Sequence, residues 1–555
     1  MNLLLVAVNA KYVHTNLAVR YLSKVCDGIC DVNIKEYSIN DNMFSVERDI
    51  ILQKPEAIAF SCYIWNIDFV LTVAANIKKA IPNTIIILGG PEVSFDSADL
   101  LDKHFFIDYI LKGEAELSLP VLAGYLADKN EFPAFGITYR KDNKIFETVS
   151  SPLPDFSQIP FPYTADEIKK IDGRIIYYES SRGCPYSCKY CLSGENGKVR
   201  FKDVEKVKED LKFFADNNVP LVKFVDRTFN ADKKRAREIW EYISSLNTST
   251  RFHMEITGEL LDNETIELLQ RVNPDNLQFE IGVQSTNPQT LDGIARACKT
   301  EKLFNNISSL ISKTNIHIHL DLIAGLPYED FESFQKSFND VISLKPHVLQ
   351  LGFLKLLKGS AIRREYKEHD MVYRDNSPYE IISNKYISAE EMLFLKDIDF
   401  VFDKIYNSGS FKKTVDYLFS IYDNKFNLFK DIVKFFRQKE YINKSFAKAK
   451  LYDVVFECFS HLGTDLEEAL RFDLISSLHT GKLPGWCNTD NSFTSSEAVY
   501  NFLKDEELKS MVIPHYVGRP AKAIIKHVRF EKFSYGTLMF DYQTDSVYNV
   551  TDYVI

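Results

Sequence analysis

Three cysteines within eight residues are the most chemically reactive cluster of the 555-residue sequence. Cys184, Cys188 and Cys191 have the spacing C-x3-C-x2-C and closely follow a short apolar run at residues 175–178. Three thiolates on one loop can hold three corners of a cubane iron–sulfur cluster, which leaves the fourth iron open to an exogenous ligand. The alternative is a zinc knuckle, but structural zinc usually takes four protein ligands from paired C-x2-C arms, and the sequence contains no second arm. The spacing therefore predicts an iron–sulfur cluster.

The segment around these cysteines reads G-C-P-Y-S-C-K-Y-C (residues 183–191) and resembles the signature of the radical S-adenosylmethionine (SAM) enzymes. The resemblance implies a 4Fe–4S cluster whose open iron chelates the amino and carboxylate groups of SAM. Once reduced, such a cluster cleaves SAM to a 5′-deoxyadenosyl radical. The resemblance also implies that Tyr190, the aromatic residue before the last cysteine, lies near the adenine, and that the surrounding fold is a partial β/α barrel.

The first 135 residues alternate short apolar runs with helical patterns. Runs at residues 3–8, 32–37, 57–61, 84–88 and 109–111 predict buried parallel strands with helices between them. We therefore predict an α/β domain over residues 1–135, doubly wound and flavodoxin-like. Ligands of such sheets bind at the carboxyl ends of the strands, where glycines allow close backbone approach. The candidate ligand-binding residues in those loops are Asn9, Tyr12, Ser61, Tyr63, Gly89, Gly90, Pro91, Gly113 and Glu114.

Such a domain ahead of a radical SAM loop resembles the cobalamin-binding subclass of that superfamily. The Gly-Gly-Pro-Glu loop at residues 89–92 and the Lys-Gly-Glu loop at residues 112–114 match the usual style of the subclass. The D-x-H-x-x-G motif, whose histidine ligates cobalt, is absent. The resemblance therefore implies cobalamin bound without a cobalt–histidine bond, and a lone loop histidine such as His14 is more often a surface or hydrogen-bonding residue.

A second α/β region follows a proline-rich stretch. Residues 136–172 predict a semi-rigid linker, and strand–helix alternation resumes over residues 173–365. Six apolar runs in that region predict parallel strands, which with right-handed crossover helices form a partial (β/α)6 barrel with all strand carboxyl ends on one face. The six runs lie at residues 175–180, 221–225, 252–256, 277–283, 316–323 and 348–353.

Two segments of this barrel resemble SAM-binding positions of enzymes related to the oxygen-independent coproporphyrinogen oxidases. Residues 282–287 followed by Arg296 match the pattern G-V-Q-x-x-N…R, and Asp321 lies in a match to D-L-I-x-G-L-P. The resemblance implies that Gln284 contacts the ribose and that Asp321 holds its hydroxyls. It also implies that Arg296 pairs with the methionyl carboxylate, which a guanidinium can meet with two parallel hydrogen bonds.

Two further residues are implied by the same resemblance. Glu255 falls where a third-strand carboxylate approaches the ribose, and the apolar Ile323 beside Asp321 suits the adenine. Taken singly, a strand-end carboxylate or arginine is as often part of a surface ion pair, so the family order and spacing of the whole set favour SAM binding. Where the family often shows Gly-Gly-Glu after the second strand, this chain has V-D-R-T-F at residues 225–229, which leaves the contacts to the SAM amino group open.

Residues 366–555 differ in character and predict a mainly helical carboxy-terminal extension. Aromatic and basic residues interleave between residues 411 and 439, a pattern that can mark nucleic-acid binding but at helical spacing more often marks a core with a solvated face. Residues 523–553 alternate in the style of strands. The arrangement resembles the extension, of the DUF4080 type, found on one group of cobalamin-binding radical SAM enzymes, and we expect it to cap the barrel or bind substrate.

Composition restricts location and partners. A net charge of −10 and a pI near 5.7 disfavour a general polyanion binder, so nucleic acid is not an expected partner. Nine cysteines of which three are clustered are typical of a reducing compartment, and no apolar run reaches the length of a membrane span. We therefore predict a cytoplasmic protein without a membrane partner.

The predicted function is that of a cobalamin-dependent radical SAM enzyme. We expect it to transfer a methyl group to an unactivated carbon of a small molecule or peptide, with electrons from a reductase, flavodoxin or ferredoxin. Cobalamin-assisted cyclisation or oxidation stays open, as does a radical SAM enzyme without cobalamin that acts on porphyrin-like or RNA substrates. A sensory module that holds cluster and corrinoid without turnover is the non-enzymatic alternative. The sequence identifies neither the substrate nor a catalytic residue.

Overall fold

Helices and parallel strands alternate through most of the first 360 residues. The computed structural model describes residues 1–129, 131–171, 173–193, 197–478, 483–487 and 496–554, and the chain divides into two units, Met1–Met392 and Leu393–Ile555. The strands of the first unit are β1 (Asn2–Asn9), β2 (Asp31–Ser38), β3 (Ala57–Ser61), β4 (Ile85–Gly89), β5 (Tyr109–Leu111), β6 (Ile137–Lys141), β7 (Lys144–Glu147), β8 (Ile176–Tyr178), β9 (Ser181–Arg182), β10 (Arg200–Phe201), β11 (Leu221–Phe224), β12 (Arg251–Glu255), β13 (Leu277–Gln284), β14 (His317–Ala324), β15 (Val348–Phe353), β16 (Val372–Tyr373) and β17 (Ile381–Ser383).

The helices of this unit begin at capping residues in most cases. Asn16, Asp232 and Asp330 each accept a backbone N–H from the first turn of the helix that follows, as good N-cap residues do. The helices are α1 (Leu17–Val25), α2 (Met43–Leu52), α3 (Ile67–Ala80), α4 (Pro91–Ser94), α5 (Ser97–Lys103), α6 (Ser118–Leu126), α7 (Ala165–Lys170), α8 (Val204–Asp216), α9 (Lys233–Ser245), α10 (Asn263–Leu269), α11 (Pro288–Gly293), α12 (Thr300–Lys313), α13 (Phe331–Ile342) and α14 (Ala361–Arg364).

The first sheet has seven strands in the order β2-β1-β3-β4-β5-β6-β7. The pairs from β2 to β5 are parallel, which confirms the predicted doubly wound, flavodoxin-like architecture. Apolar side chains from the two faces of β1 enter two separate cores, Leu4 on one side and Leu3 on the other. Helices therefore cover both faces of this sheet, and its central strands β1, β3 and β4 are apolar nearly throughout.

The first sheet extends beyond the predicted boundary at residue 135. Strands β6 and β7 pair antiparallel with β5 and with each other, so residues 137–147, which the sequence assigned to a linker over 136–172, belong to this sheet. Asp142 and Asn143 between them both have positive φ, +48° and +58°, as in a two-residue hairpin turn of the primed type. The proline-rich stretch that remains begins after Glu147.

The second large sheet has six strands in the order β15-β14-β13-β12-β11-β8. Every neighbouring pair is parallel, so the six predicted barrel strands are present and the partial (β/α)6 fold is confirmed. Their side chains alternate along β13 and β14 between buried apolar residues and half-buried residues that are mostly polar. The apolar side packs against the helices, and the other side forms the concave wall of the open barrel.

The second unit is mainly helical, as predicted. Its helices are α15 (Ala389–Phe402), which begins just before the division, α16 (Lys412–Ile421), α17 (Lys425–Gln438), α18 (Lys448–Phe459), α19 (Thr464–Ser477), α20 (Ser496–Lys504), α21 (Glu506–Val512) and α22 (Ala521–Ile524). Strands β18 (Val528–Phe533), β19 (Gly536–Asp541) and β20 (Ser546–Asn549) form an antiparallel sheet where strand-like alternation was predicted.

The aromatic residues of α17 belong to a core. Phe426, Phe429 and Phe436 are fully buried, whereas Lys434 on the same helix is exposed. This agrees with the interpretation of interleaved aromatic and basic residues as a core with a solvated face. The role predicted for this extension, capping the barrel or binding substrate, stays a prediction. Within the described part of the chain, no helix has both the length and the hydropathy needed to cross a membrane.

Candidate functional site

The cysteine loop is fixed at its base by a buried carboxylate. Asp226, after β11, accepts hydrogen bonds from the Ser180 backbone N–H at 2.7 Å and from the Ser180 and Ser181 hydroxyls at 2.7 and 2.6 Å. Arg235 donates to the Ser180 carbonyl at 3.1 Å. Burial raises the pKa of Asp226, and these hydrogen bonds oppose the rise. Asp226 lies in the segment where the family often has Gly-Gly-Glu, and it thus positions the cysteine loop through the two serines at the base of that loop.

A short two-stranded ladder, here called the clasp, joins the segments before and after the cysteine loop, which are its two arms. Strands β9 and β10 pair antiparallel in this ladder. Gly183, with φ of +94°, lies so close to the opposite arm that a Cβ there would be 2.1 Å from the Lys198 carbonyl oxygen, so only glycine fits. At the other end, the Lys189 N–H donates to the Ile294 carbonyl at 3.0 Å.

The three cysteines are free thiols, each half-buried. The Ser193 N–H donates to Cys191 Sγ at 3.4 Å, and Cys184 Sγ lies 3.4 Å from the Thr228 hydroxyl. A guanidinium nitrogen of Arg296 lies 3.9 Å from Cys188 Sγ. Donors directed at thiolates suit iron–sulfur ligands, since such hydrogen bonds stabilise their charge. The donor set therefore fits the predicted cluster.

Arg296 and Gln284 approach each other beside the cysteine loop. Arg296 donates to the Gly282 carbonyl and, at 3.3 Å, to the Tyr190 hydroxyl. Gln284 has a φ of +73°, uncommon for a residue other than glycine, at a bulge between β13 and β14. A side chain on Gly282 would meet Gln284 Nε2 at 2.1 Å. Backbone strain held by its surroundings in this way is typical of functional sites.

Several buried polar atoms at this site lack a hydrogen-bond partner among the residues that the structure describes. They are Gln284 Oε1, Arg296 Nε and Asp321 Oδ1. Burial, together with the carboxylates of Glu280 and Glu255, raises the pKa of Asp321 well above its ordinary value. A ligand with hydroxyl and carboxylate groups would supply the missing partners of these two acceptors and one donor, so these residues fit SAM. Ile323, two residues along β14, is half-buried on the same side of the strand.

Glu255 lies in the same electrostatic environment. Burial raises the pKa of its carboxyl, and the Arg227 charge opposes this while Glu280 adds to it. It pairs in register with Glu280 across β12 and β13. The structure thus brings Glu255 into the electrostatic environment of Asp321, as the spacing implied, while its contact with SAM stays a prediction.

The concave wall contains polar residues that the motif comparison did not identify. Glu280 accepts from Lys223 at 3.2 Å and lies 2.9 Å from His253 Nε2. Although burial alone would raise the pKa of Glu280, these two partners bring it down to about 2. His319 lies 2.6 Å from the Gln278 amide. Polar residues at every second position of predicted barrel strands were the signal that could have found this wall.

A second ligand site lies at the carboxyl ends of the first sheet. A cavity of about 560 Å³ is lined by Ser61, Tyr63, Gly89, Gly90, Pro91, Gly113 and Glu114 from the predicted set. It extends between α1 and the apolar face of the sheet, where Leu5, Ala59 and Ile87 line it. It also reaches Gly183, Leu192 and Ser193 of the cysteine loop.

Two glycines shape this cavity for different reasons. Gly90 has a φ of +117°, and a Cβ there would lie 2.4 Å from the Cys62 carbonyl oxygen, so the chain itself requires glycine. Gly113 has a φ of +72° with nothing within 4 Å of the position of a Cβ, so it leaves open space. An apolar slot behind a glycine-lined rim fits a large, flat cofactor such as cobalamin.

Asn9, Tyr12 and His14 lie differently from the rest of the predicted set. Asn9 lines a neighbouring cavity and donates to the His14 carbonyl at 3.0 Å. Tyr12 lines neither cavity and is exposed, with the Arg174 guanidinium over its ring at 5.1 Å, so the structure does not bring it together with the other predicted residues and its assignment stays a prediction. His14 Nδ1 lies 2.8 Å from the Tyr177 hydroxyl, and burial, with three nearby cations, lowers its pKa.

Arg182 connects the two ligand sites and was not identified from the sequence. It forms ion pairs with Glu114 at 2.8 Å, Glu116 at 2.6 Å and Glu179 at 2.9 Å. Glu114 also pairs with Arg200 on the other arm of the clasp. Burial raises the pKa of Glu179 to about 7 against the opposing charge of Arg182. The Lys-Gly-Glu loop is therefore fixed to the cysteine loop by charge.

One further group of potential metal ligands lies beside the cysteine loop. Glu365, Glu368 and His369 bring their ligand atoms within 4.8 Å of one another, which no other such group does in the described residues. Lys189 Nζ lies 2.9 Å from Glu365 Oε2, so an ammonium already balances part of its charge.

Family models match three consecutive parts of the chain. A B12 binding domain matches residues 3–123, the radical SAM superfamily matches residues 178–341, and a protein of unknown function (DUF4080) matches residues 367–555. The chain therefore contains a B12 binding domain followed by a radical SAM domain. A radical SAM domain together with a B12 binding domain implies a 4Fe–4S cluster, SAM and cobalamin as cofactors.

Curated relatives include methyltransferases. The cobalamin-dependent radical SAM methyltransferase TokK of Streptomyces tokunonensis is 26% identical over 330 residues, which are 54% of this chain and 47% of TokK. The hopanoid C-3 methylase of Methylococcus capsulatus is 25% identical over 307 residues, 52% of this chain and 56% of that protein. The chain spans about half the length of these relatives.

Solved structures show the same fold. The cobalamin-dependent SAM radical enzyme OxsB, with aqua-cobalamin and SAM bound, superposes with a TM-score of 0.62 at 15% identity over 87% of this chain and 82% of OxsB. The radical SAM methyltransferase TsrM of Kitasatospora setae, with tryptophan and a SAM analogue bound, gives 0.55 at 15% identity over 66% of this chain and 76% of TsrM.

Proposed function

We propose that this protein is a cobalamin-dependent radical SAM methyltransferase that methylates an unactivated carbon of a small molecule or peptide. The observation that carries the proposal is the shared wall of the larger cavity. One side is the glycine-lined rim of the first sheet, and the other includes Gly183, Leu192 and Ser193 beside the cluster cysteines. A corrinoid on the rim would therefore face the cluster loop. The methyltransferase relatives, similar over about half of this chain, support the same activity.

Each cofactor has a proposed set of residues in the chain. Cys184, Cys188 and Cys191 would hold the cluster, and the loops around Gly89, Gly90 and Gly113 would hold cobalamin. When bound, the cluster and SAM supply a 5′-deoxyadenosyl radical that removes hydrogen from the substrate, and cobalamin supplies a methyl group.

The residues of the barrel wall would bind and orient SAM. Asp321 Oδ1 and Gln284 Oε1 are unpartnered acceptors that would receive hydrogen bonds from the ribose hydroxyls of SAM. The Arg296 guanidinium would pair with the methionyl carboxylate. Arg296 is itself oriented by the Gly282 carbonyl and the Tyr190 hydroxyl. Positioning is the main contribution of the protein, because a primary carbon radical is indiscriminate unless its target is held close and water is excluded.

Electron supply is part of the proposal. Reduction of the cluster requires a donor, for which a flavodoxin, ferredoxin or reductase is the expected class.

The experiment is anaerobic reconstitution of the full chain with iron, sulfide and hydroxocobalamin. After desalting we expect corrinoid absorbance to remain with the protein, and on reduction with SAM we expect release of 5′-deoxyadenosine. Gly113→Asn should lower cobalamin retention, because its side chain enters the open rim. Gly28→Asn is the matched control, since Gly28 also has a positive φ, +74°, and open space around its Cβ position but lines neither cavity. Equal cobalamin retention by both variants would contradict the assignment of the glycine-lined rim as the cobalamin site. Reduction with SAM that releases no 5′-deoxyadenosine would contradict the proposed activity.

A further inference from the structure

A second cavity, of about 440 Å³, adjoins the larger one. Loops after β1 and β3 line one side of it, and the ends of β8 and β11 line the other. The two cavities share Tyr63, Glu179, Arg182, Val225 and Arg227 among their walls. Its volume suits one small organic molecule, and its position between the sheet ends is where a substrate of the proposed reaction must lie.

The walls of this second cavity are rich in aromatic rings. Tyr21, Tyr63, Trp65 and Tyr177 line it. Tyr63 and Trp65 stack with ring centroids 4.4 Å apart and planes at 5°. Their neighbours use some of the polar tips, since Trp65 Nε1 donates to the Val8 carbonyl at 3.2 Å and the Tyr177 hydroxyl meets His14. Flat apolar surface is therefore much of what these walls present to a ligand.

The charges around the cavity leave one cation unpaired. Glu116 and Glu179 both form ion pairs with Arg182, at 2.6 and 2.9 Å. Arg227, also in the wall, is exposed and forms neither an ion pair nor a side-chain hydrogen bond with any described residue. Its charge acts on Glu255 and Tyr63 only from beyond ion-pair distance.

The backbone around Arg227 is fixed on both sides. Asp226 before it is fully buried and holds the base of the cysteine loop, and the Thr228 hydroxyl after it lies 3.4 Å from Cys184 Sγ. The backbone that bears the free guanidinium is therefore tied to the cluster loop. A group bound to Arg227 would therefore lie close to the cysteine loop.

We infer that the second cavity binds the substrate, and that the substrate is a flat, unsaturated or aromatic carboxylate whose carboxylate pairs with Arg227. One guanidinium meets one carboxylate with two parallel hydrogen bonds and balances its single charge. A phosphate dianion would leave a charge unbalanced, because the other cation in the wall, Arg182, is already surrounded by three carboxylates. This inference rests on the proposed function for its location, but it is tested by binding alone.

The test uses naphthalene-1-acetate as the probe and naphthalene-1-acetamide as its neutral match. Binding of each to the anaerobically reconstituted full chain, with cobalamin and SAM present, is measured by equilibrium dialysis. We expect the acid to bind at least about tenfold more tightly than the amide, which is the size of one charge-assisted pair. Arg227→Gln should remove that difference and leave amide binding unchanged, and Arg227→Lys should retain part of it.

Arg251→Gln is the matched control. Arg251 is also exposed, at the amino end of β12, where its Nε donates to the Asp275 carbonyl at 3.1 Å. This variant should bind both probes as the parent does. Equal binding of acid and amide by the parent overturns the inference, as does tighter competition by inorganic phosphate than by acetate. Loss of cobalamin or of SAM affinity in Arg227→Gln would assign the residue to a cofactor and also overturn it. Absent 5′-deoxyadenosine release with selective acid binding would instead reject the proposed activity alone.

Discussion

The two parallel sheets of the first unit are built from the same strand–helix repeat but distribute polarity in opposite ways. Strand β1 of the first sheet is apolar on both faces, with Leu3 and Leu4 fully buried in different cores. Strand β14 of the barrel alternates, with Leu320 buried toward the helices and His319 and Asp321 on the concave wall. Helices cover both faces of the first sheet but only the outer face of the barrel.

This difference decides where each sheet can bind a ligand. The first sheet has no free face, so its ligands are restricted to loops at the strand ends and to the slot beneath α1. The barrel has a free inner face, so unpartnered atoms such as Asp321 Oδ1 can lie within a strand. A sheet with one uncovered face can place polar groups along the length of its strands, which a doubly covered sheet cannot do without burying them.

The largest expected effect comes from the loop that both ligand sites share. Changing Cys184, Cys188 and Cys191 together to alanine should abolish the cluster. These cysteines are the expected protein ligands of three irons in a cluster of about four. Iron content and visible absorbance after anaerobic reconstitution measure this. Cys298→Ala is the control, because this thiol is near enough to Arg296 for that charge to act on its pKa, yet it lies outside the cysteine motif. Iron retained by the triple variant would refute the assignment.

The next effect tests the polarity difference directly. Leu3→Asn and Leu4→Asn should each destabilise the protein by about 3–5 kcal/mol, because each loses buried apolar area and leaves an amide unpaired. In β14, Leu320→Asn should cost a similar amount, whereas His319→Asn should cost about 1 kcal/mol, the size of one hydrogen bond to Gln278. Thermal melts without ligand measure all four. Similar losses for Leu320→Asn and His319→Asn would contradict the free inner face.

A third prediction concerns a carboxyl on the helix-covered side of the barrel. Glu329 is 1% exposed; Oε1 accepts from the Ser285 and Ser337 hydroxyls, while Oε2 has no partner among the residues described. Burial raises its pKa from 4.5 to about 7. The folded state therefore binds the proton more tightly than the unfolded state, and stability should fall as pH rises from 4.5 through 7. The difference corresponds to roughly 3 kcal/mol.

Glu329→Gln should remove that part of the pH dependence, so its melting temperature relative to the parent should be higher at pH 8 than at pH 5. Glu332→Gln, an exposed carboxylate in the first turn of α13, should leave the dependence as in the parent. An unchanged profile in Glu329→Gln would show that this carboxyl does not titrate in the folded state between pH 5 and pH 8.

The smallest expected effect is on SAM affinity. Arg296→Ala and Asp321→Ala should each weaken SAM binding by about 1.5–3 kcal/mol, or roughly tenfold to hundredfold, with little change in the ligand-free melt. Calorimetry under nitrogen measures the affinity, and Asp275→Ala, exposed at the opposite end of the barrel, is the control. Variants that melt far below the parent yet bind SAM normally would show that these residues stabilise the barrel instead.

Much of the fold was predictable because its signals are local. The apolar runs gave the parallel strands of both sheets, since strand length and apolar pattern are properties of a few neighbouring residues. The hairpin β6–β7 was missed because a proline-rich context obscured two short strands, although Asp142-Asn143 is a turn that such a hairpin favours. Tyr12 lies outside both cavities although it was predicted from the same set of loops, since loop membership alone does not fix the direction of a side chain.

The sequence by itself determined the cysteine spacing, the order of the domains and the alternation of the barrel strands, because each depends on residues close together in the chain. Only the tertiary structure decided that Arg182 joins Glu114 to the cysteine loop across 68 residues, that Asp226 holds the base of that loop, and that Arg227 is left unpaired among the described residues beside an aromatic cavity. Those outcomes depend on how distant loops meet. The contacts between distant loops determine which charges pair and which side chains are buried, and no local sequence pattern encodes those contacts.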